Sequence, residues 1–493
     1  MRGVVAAGHP VTAEAGAEAL RAGGNAVDAA LAAMFTSFVA EPMLTGLGAG
    51  GYMLVAPPGE EPVLLDFFVE APGRGLAPGA PHAPLRGIDV DFGDAVQVFN
   101  IGAAAAGPYG TVAGAATAAE RFGRLPLAEL VAPAAATARR GVTVNEQQAY
   151  LFQILRPITD ATPEARALFM PAGRSPQVGD VHRDPELAVA LERLGAEGPA
   201  PFYTGDIAAA VCGWIADRGG LLTRADLAAY ATVARAPVRV AYRGQTVVTN
   251  PPPSAGGILL AYVLAQLDRG LSPPPVAAVV DAMEAAQAER TPDFLVGLHD
   301  PGFLERFTAS RLGATTHISV ADADGWACAV TCTNGEGCGE VVPGTGIHLN
   351  NMMGEQDLSP FGFFSHPPGR RLPSMMAPTM VLGAGVDPPR LVLGSAGSNR
   401  IRSAILQVVI GVLDQGLGVQ DAIDAPRVHF EDEIAYVEPG LDTAGLESDQ
   451  RTLVRFSSRN LFFGGAQAVQ RDLRTGKLSG GGDPRRGGAV AEA

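Results

Sequence analysis

The sequence predicts an α+β protein in which stacked sheets lie between helical layers, rather than a doubly wound parallel sheet. The first 55 residues read as helix, helix, glycine turn and strand. Residues 110 to 235 are mostly helical in character, and after residue 315 the texture changes to strands and glycine turns. Helices and strands are therefore segregated along the chain, whereas βαβ units would alternate them.

In chain order, Thr12 to Ala22 is an alanine-rich helix with Thr12 as N-cap and Gly23-Gly24 as its stop. Asn25 caps the next helix and Asp28 sits in its first turn. Val27, Leu31, Met34, Phe35 and Phe38 form one apolar stripe, which Pro42 ends. Gly46-Leu-Gly-Ala-Gly-Gly51 leads into Tyr52-Met-Leu-Val-Ala, a buried strand. These glycines match G-x-G-x-x-G, but they follow a helix and open a strand. A dinucleotide fingerprint does the reverse, so they read as a tight, close-packed turn and not as a nucleotide site.

Further helices are expected at Pro126 to Ala132, at Asp184 to Leu194 and after a Thr223 cap. Val238 to Tyr242 and Gln245 to Thr249 alternate as strands. Pro251-Pro-Pro-Ser-Ala-Gly-Gly257 is an irregular loop before a buried helix from Ile258, and 285–313 reads as an exposed segment. Strands follow at Ile318 to Gly325, Ala327 to Thr333 and Arg390 to Gly394, and then a helix from Ile401 to Leu413 with Gly416 as its stop. The glycine-rich tail from Gly480 reads as strand-poor and peripheral. There is no internal repeat.

The 493 residues are 47% hydrophobic and 18% charged, with Gly 62 and Pro 39, a composition of many tight turns with enough apolar residues for a large core. A net charge of −15 argues against nucleic-acid binding. No apolar run reaches the ~18 residues of a membrane span. The N-terminus enters a folded pattern at once, without the features of a signal peptide, so a cytoplasmic, soluble protein is expected. Cys212, Cys328, Cys332 and Cys338 form no CxxC pair and the histidines no HxxxH, so neither a disulfide framework nor a zinc site is expected.

Thr315-Thr316-His317 is the segment that carries chemistry. A small residue, Ala314, precedes a threonine at the start of a strand, as a self-cleaving amidase requires. The Thr315 hydroxyl can attack the Ala314 carbonyl, pass through an ester and break the chain. The new N-terminal threonine then holds a nucleophile and a base in one residue, because an α-amine titrates at about 7.7–8.0. No cofactor or metal is implied. Strand filling by β-branched residues is the competing reading of the tripeptide alone.

The ordered motifs on either side decide between them. Gly8-His-Pro-Val-Thr-Ala-Glu-Ala-Gly, Gly23-Gly-Asn-Ala-Val-Asp-Ala-Ala, Gly46-Leu-Gly-Ala-Gly-Gly-Tyr-Met-Leu-Val, Thr111-Val-Ala-Gly114 and Pro251 to Gly257 precede Thr315-Thr-His. Gly344-Thr-Gly-Ile-His-Leu-Asn-Asn351, Met376-Ala-Pro-Thr379, Gly394-Ser-Ala-Gly-Ser-Asn-Arg400 and Asp483-Pro-Arg-Arg follow it. In this order, over nearly the whole chain, they resemble the gamma-glutamyltranspeptidase family of N-terminal-nucleophile hydrolases.

The resemblance implies an αββα four-layer sandwich, cut between Ala314 and Thr315 into a large segment, 1–314, and a small one, 315–493, that stay together as one compact unit. It implies Thr315 as nucleophile, Thr333 as its supporting hydrogen-bond partner, and the Gly397 and Ser398 backbone N–H groups as the oxyanion hole. The family's second glycine is replaced by Ser398, whose side chain restricts the backbone. Glu355 falls where the family places the acidic residue for a substrate α-ammonium, with Asp357 as the fallback. Ser374 matches a serine that holds the α-carboxylate, and Asn334 is a further substrate-binding candidate.

Three further features depart from the pattern. Phe68 stands where the family offers an arginine clamp for the α-carboxylate, and Arg74 and Arg371 are the candidates to replace it. Pro373 replaces a second serine, and Asn334-Gly-Glu-Gly-Cys-Gly339 alters the pocket wall. The expected activity is that of an autoprocessed gamma-glutamyltransferase or hydrolase acting on a small-molecule γ-glutamyl amide, with water or an amine as acceptor. The alternative is an acylase of glutaryl or cephalosporin type, favoured by Phe68. A non-catalytic homologue is the third reading, opposed by the intact Ala314-Thr315-Thr316 and Thr333.

Overall fold

The computed structural model describes residues 1–91, 96–289, 294, 297–299, 316–359, 361–383, 388–447 and 451–493. Thirteen strands build its two large sheets. They are β1 (Gly3–Ala7), β2 (Gly50–Ala56), β3 (Val63–Phe67), β4 (Val233–Arg235), β5 (Val238–Tyr242), β6 (Gln245–Thr249) and β7 (Thr316–Asp322). The remainder are β8 (Ala327–Thr333), β9 (Thr379–Leu382), β10 (Leu391–Ala396), β11 (Gly465–Arg471), β12 (Leu478–Gly482) and β13 (Ala489–Glu492). The first sheet runs β13-β1-β7-β8-β2-β3-β4 and the second β12-β11-β10-β9-β6-β5. Their pairings are antiparallel, with Thr316 opposite Cys332 in β7–β8 and Thr333 opposite Gly50 in β8–β2.

Period-two alternation sorts each strand of the first sheet between two cores. Val5, Ala7, Met53, Val55, Ile318, Val320, Cys328 and Val330 pack with helices α1 (Pro10–Arg21), α2 (Ala26–Ala40), α3 (Leu127–Arg140) and α4 (Pro185–Glu197). Val4, Ala6, Tyr52, Leu54, Ala321 and Ala329 turn the other way. They share a core with the second sheet and with α5 (Ala255–Leu267), α6 (Val276–Ala288) and α7 (Arg400–Leu413). The result is a helix–sheet–sheet–helix sandwich, the architecture expected.

The sheets meet closely where β7 crosses β10. A Cβ on Gly394 would fall 2.3 Å from the His317 ring, so only glycine fits. His317 donates to or accepts from Thr331 Oγ1 (2.7 Å) and Ser319 Oγ (2.9 Å), and burial pushes its pKa down to about 3. It is a neutral bolt between the sheets and not a base.

Local expectations held where a cap or an alternation specified them. Asn25 and Asp28 form a reciprocal capping box on α2, and Asp184 caps α4. The Gly46–Gly51 turn is a close-packed turn: Cβ atoms on Gly48 and Gly51 would lie 2.4 Å from the His348 and Thr331 carbonyl oxygens. Three expectations need correction. Helix α1 starts earlier, because Pro10 suits the first helical position and His9 Nδ1 accepts the Val11 N–H at 3.1 Å. The helix after the Pro251 loop starts at Ala255, where Gly256 and Gly257 let the 374–376 and Asn250 backbones approach.

The third correction is the tail, which is integral and not peripheral. Strand β12 closes one edge of the second sheet and β13 pairs with β1 in the first. Between them Asp483 and Arg485 are buried with Arg427 and Glu438 in an ion-pair network, with Arg427–Asp483 at 2.6 Å and Arg485 Nε donating to Glu438 at 2.8 Å. Its glycines are there for close approach, as at Gly482, where a Cβ would lie 2.5 Å from the Ala489 nitrogen.

Candidate active site

Ala314 and Thr315 lie outside the described residues, as does most of 285–313 beyond Glu289. The description begins at Thr316, and its surroundings are specific. Thr316 Oγ1 donates to Glu41 Oε1 (2.9 Å), and Thr12 Oγ1 donates to Glu41 Oε2 (3.3 Å). Glu41 is buried just past α2, against Gly8, whose missing side chain makes room: a Cβ there would lie 2.2 Å from Oε1. Burial raises the Glu41 pKa to about 7, partly offset by the two hydroxyl donors and by the Arg486 cation.

Half-buried Arg486 joins this corner to the next. It lines a small cavity with Glu41 and His9, and a second one with Gly335, Glu336, Gly397, Ser398 and Arg400. Its Nη2 stands 3.4 Å from where a Gly397 Cβ would be. Burial and the neighbouring Arg400 lower its pKa to about 10.

Gly397 and Ser398 form the turn between β10 and α7. Gly397 has φ +122° and Ser398 has φ +55°, the left-handed region. Their carbonyls accept the Arg400 and Ile401 N–H groups at 3.0 and 3.1 Å, while their own N–H groups have no partner among the described residues. Thr333, at the end of β8, is buried, and its hydroxyl accepts the Gly335 N–H at 2.7 Å. Asn334 Nδ2 donates to the His348 carbonyl at 3.1 Å.

Several polar atoms near these turns are buried and have no hydrogen-bond partner among the described residues: Asn334 Oδ1, Glu336 Oε2, Asn351 Nδ2, Ser398 Oγ and Asn399 Oδ1. Glu336 and Ser398 line the cavity with Arg486, and Asn399 lines the adjoining one. Glu336 is held neutral further up the scale than an ordinary carboxyl, to about 7, chiefly by burial. Glu355 belongs to an adjoining cavity of about 280 Å³, with Gln97, Asn399, Arg400, Glu431 and Tyr436. The Asp357 side chain lies outside the described residues.

Ser374 is tied to the backbone around it. Its Oγ accepts the Met376 N–H (3.1 Å), and its carbonyl accepts Ala255 N–H and Ser254 Oγ–H (2.8 and 2.9 Å) at the start of α5. Phe68 is buried, stacked on Tyr52 with 5.6 Å between rings, in the core that holds Met352, Met353, Leu372 and Met375. Neither proposed replacement for an arginine at this position is available. Arg371 donates to the Phe68 and Ala231 carbonyls and faces Asp66 and Glu70 at 3.6 and 3.5 Å. Arg74 pairs with Glu70 at 3.0 Å and approaches Asp226.

The profile of the gamma-glutamyltranspeptidase family matches residues 12–312 and 302–493. The chain belongs to the gamma-glutamyltranspeptidase family. It is 34% identical over 489 residues to the Acylase ACY 1 proenzyme of Pseudomonas sp. (strain SE83), covering 90% of this chain and 85% of the relative. It is 30% identical over 542 residues to the glutathione hydrolase proenzyme of Escherichia coli (strain K12), covering 98% and 90%. Among solved structures, the cephalosporin acylase from Bacillus halodurans superposes with a TM-score of 0.85 at 26% identity, covering 100% of this chain and 96% of that one. Gamma-glutamyltranspeptidase relatives thus include glutathione hydrolases and acylases, and the chain is an enzyme of this family. Among the described residues no helix is long and apolar enough to cross a membrane.

Of the residues singled out from the sequence, the fold brings Gly397, Ser398 and Glu355 to two adjoining cavities, and Thr333 and Asn334 directly precede Gly335 and Glu336 of the first. Glu41, Glu336 and Arg486, which line the two small cavities that share Arg486, carry no such signal in the sequence. A glutamate before Pro42 reads as a helix end, and only the tertiary approach of Thr316, 275 positions away, gives it a role.

Proposed function

We propose that this chain is an N-terminal-nucleophile amidohydrolase and acyltransferase that cuts itself between Ala314 and Thr315 and then works through an acyl-Thr315 ester. The cut yields segments 1–314 and 315–493, which stay together because β1 and β7 are hydrogen-bonded neighbours in one sheet. The observation that carries the reading is the Gly397–Ser398 turn, whose two N–H groups have no partner among the described residues and lie beside the cleft, as an oxyanion hole needs.

In the first step Thr315 Oγ attacks the Ala314 carbonyl carbon, the peptide nitrogen leaves as the α-amine, and water hydrolyses the ester. In turnover the α-amine takes the Thr315 hydroxyl proton as Oγ attacks the substrate amide carbon. The negative oxygen sits on the Gly397 and Ser398 N–H groups, and the amine leaves with the proton. Water or an amine then takes the acyl group from Thr315. Thr333 orients the nucleophile. Glu355, Asn334 and Ser374 are the contacts proposed for a γ-glutamyl head group.

A second reading keeps the chemistry and changes the acyl group. Among the described residues, Phe68 and its methionine-rich surroundings offer no cation for an α-carboxylate, and Arg371 and Arg74 are committed to Asp66, Glu70 and Asp226. Amine release from a γ-glutamyl anilide and from a glutaryl anilide separates the two. We expect γ-glutamyl turnover that disappears in Thr315→Ala. Faster glutaryl turnover transfers the assignment to the acylase reading, and no Thr315-dependent turnover of either contradicts both.

A further inference from the structure

Ser398 carries two separate costs that a glycine would avoid. Its φ of +55° is a left-handed conformation, which crowds a Cβ against the backbone. Its hydroxyl is buried, with the residue 3% exposed, and has no hydrogen-bond partner among the described residues. Burying a hydroxyl without a hydrogen bond is unfavourable, because its bonds to water are lost and not replaced.

A local structural role does not account for it. Serine before a helix ordinarily accepts an N–H from two or three residues on. Here the Arg400 N–H goes to the Gly397 carbonyl at 3.0 Å and the Ile401 N–H to the Ser398 carbonyl itself at 3.1 Å. The hydroxyl caps nothing. Ser398 is instead one of the residues that line the cavity formed with Gly335, Glu336, Gly397, Arg400 and Arg486. Helix α7 starts two residues later and runs for 14 residues, so its positive end also faces this turn.

We propose that the Ser398 hydroxyl is a catalytic group, an additional donor to the acyl oxygen as it becomes an oxyanion, beside the Gly397 and Ser398 N–H groups. This rests on the reading of that turn as the oxyanion hole. It differs from it in assigning chemistry to a side chain, one that a glycine at this position would lack. The strained, unsatisfied serine is kept because its hydrogen bond is made only during reaction, when charge develops on the oxygen it faces.

Ser398→Gly and Ser398→Ala separate this from a structural role. Both lose the hydroxyl, but only glycine also relieves the backbone. With rates expressed per processed chain, we expect kcat on the anilide to fall about tenfold or more in both, with KM within twofold of the parent. Ser398→Gly should melt above Ser398→Ala. Parent-like kcat in Ser398→Gly, or a loss confined to KM, overturns the proposal while leaving the nucleophile reading intact. A parent with no Thr315-dependent turnover overturns both.

Discussion

Replacing Glu41 by glutamine should change how stability depends on pH. The carboxyl is buried, receives the Thr316 and Thr12 hydroxyls, and has its pKa raised from 4.5 to about 7. Burial is the largest cause, and the two hydroxyls and Arg486 oppose it. The other groups around it change little in this range: burial takes His9 down to about 4 and the Cys332 thiol up to about 12. Because the folded pKa lies above the unfolded one, the contribution of Glu41 is fully present below pH 4.5. It is lost as pH rises through 7, where the native state must ionise a carboxyl that the unfolded chain ionised earlier. At 1.36 kcal/mol per pKa unit, the loss between pH 5 and 8 is roughly 2 to 3 kcal/mol. Glutamine keeps the shape and accepts the Thr316 hydrogen bond but does not titrate. In a Thr315→Ala background, which keeps the chain whole, urea unfolding at the two pH values should show Glu41→Gln gaining that amount on the parent as pH rises. Glu336, also raised to about 7, titrates in both proteins and cancels in the difference. A stability difference independent of pH would refute the reasoning, since Glu41 would then be ionised throughout.

Three further outcomes follow from particular contacts. Gly394→Ala pushes a methyl group to 2.3 Å from His317 where the sheets cross, and should lower stability by about 1–3 kcal/mol in thermal unfolding. Asp483→Asn leaves Arg427 and Arg485 buried with one carboxylate fewer; a loss of about 3–5 kcal/mol and faster amide exchange in β12 and β13 are expected. Arg371→Met should lower the melting temperature and leave KM for the γ-glutamyl anilide unchanged, because the guanidinium is held by the Phe68 and Ala231 carbonyls and by Asp66 and Glu70. A raised KM at parent stability would restore Arg371 as a substrate clamp.

Much of this fold was legible locally. Ala327 to Thr333 is a strand at the expected bounds, and the Asn25–Asp28 and Thr223–Asp226 boxes open their helices, because each depends on residues within a few positions of one another. The tail was misread for the opposite reason. Gly480 to Gly488 has turn-like composition, yet its pairing with β11 and the ion pairs of Asp483 and Arg485 come from distant strands. The candidate site divides in the same way. Thr333, Gly397 and Ser398 sit in motifs that can be read in order, whereas Glu41 and Arg486 gain meaning only when the chain folds them beside Thr316 and Gly397. Ser398 read as a small departure at a glycine position, and only its φ and its unpartnered hydroxyl show what that departure involves.

The central claim is the cut before Thr315, and intact-mass measurement with N-terminal sequencing of the purified protein tests it most directly. The account predicts two chains of 314 and 179 residues, the second beginning Thr-Thr-His-Ile, and one unbroken chain for Thr315→Ala. A parent protein that remains a single 493-residue chain after prolonged incubation, or a cut at another bond, would contradict it.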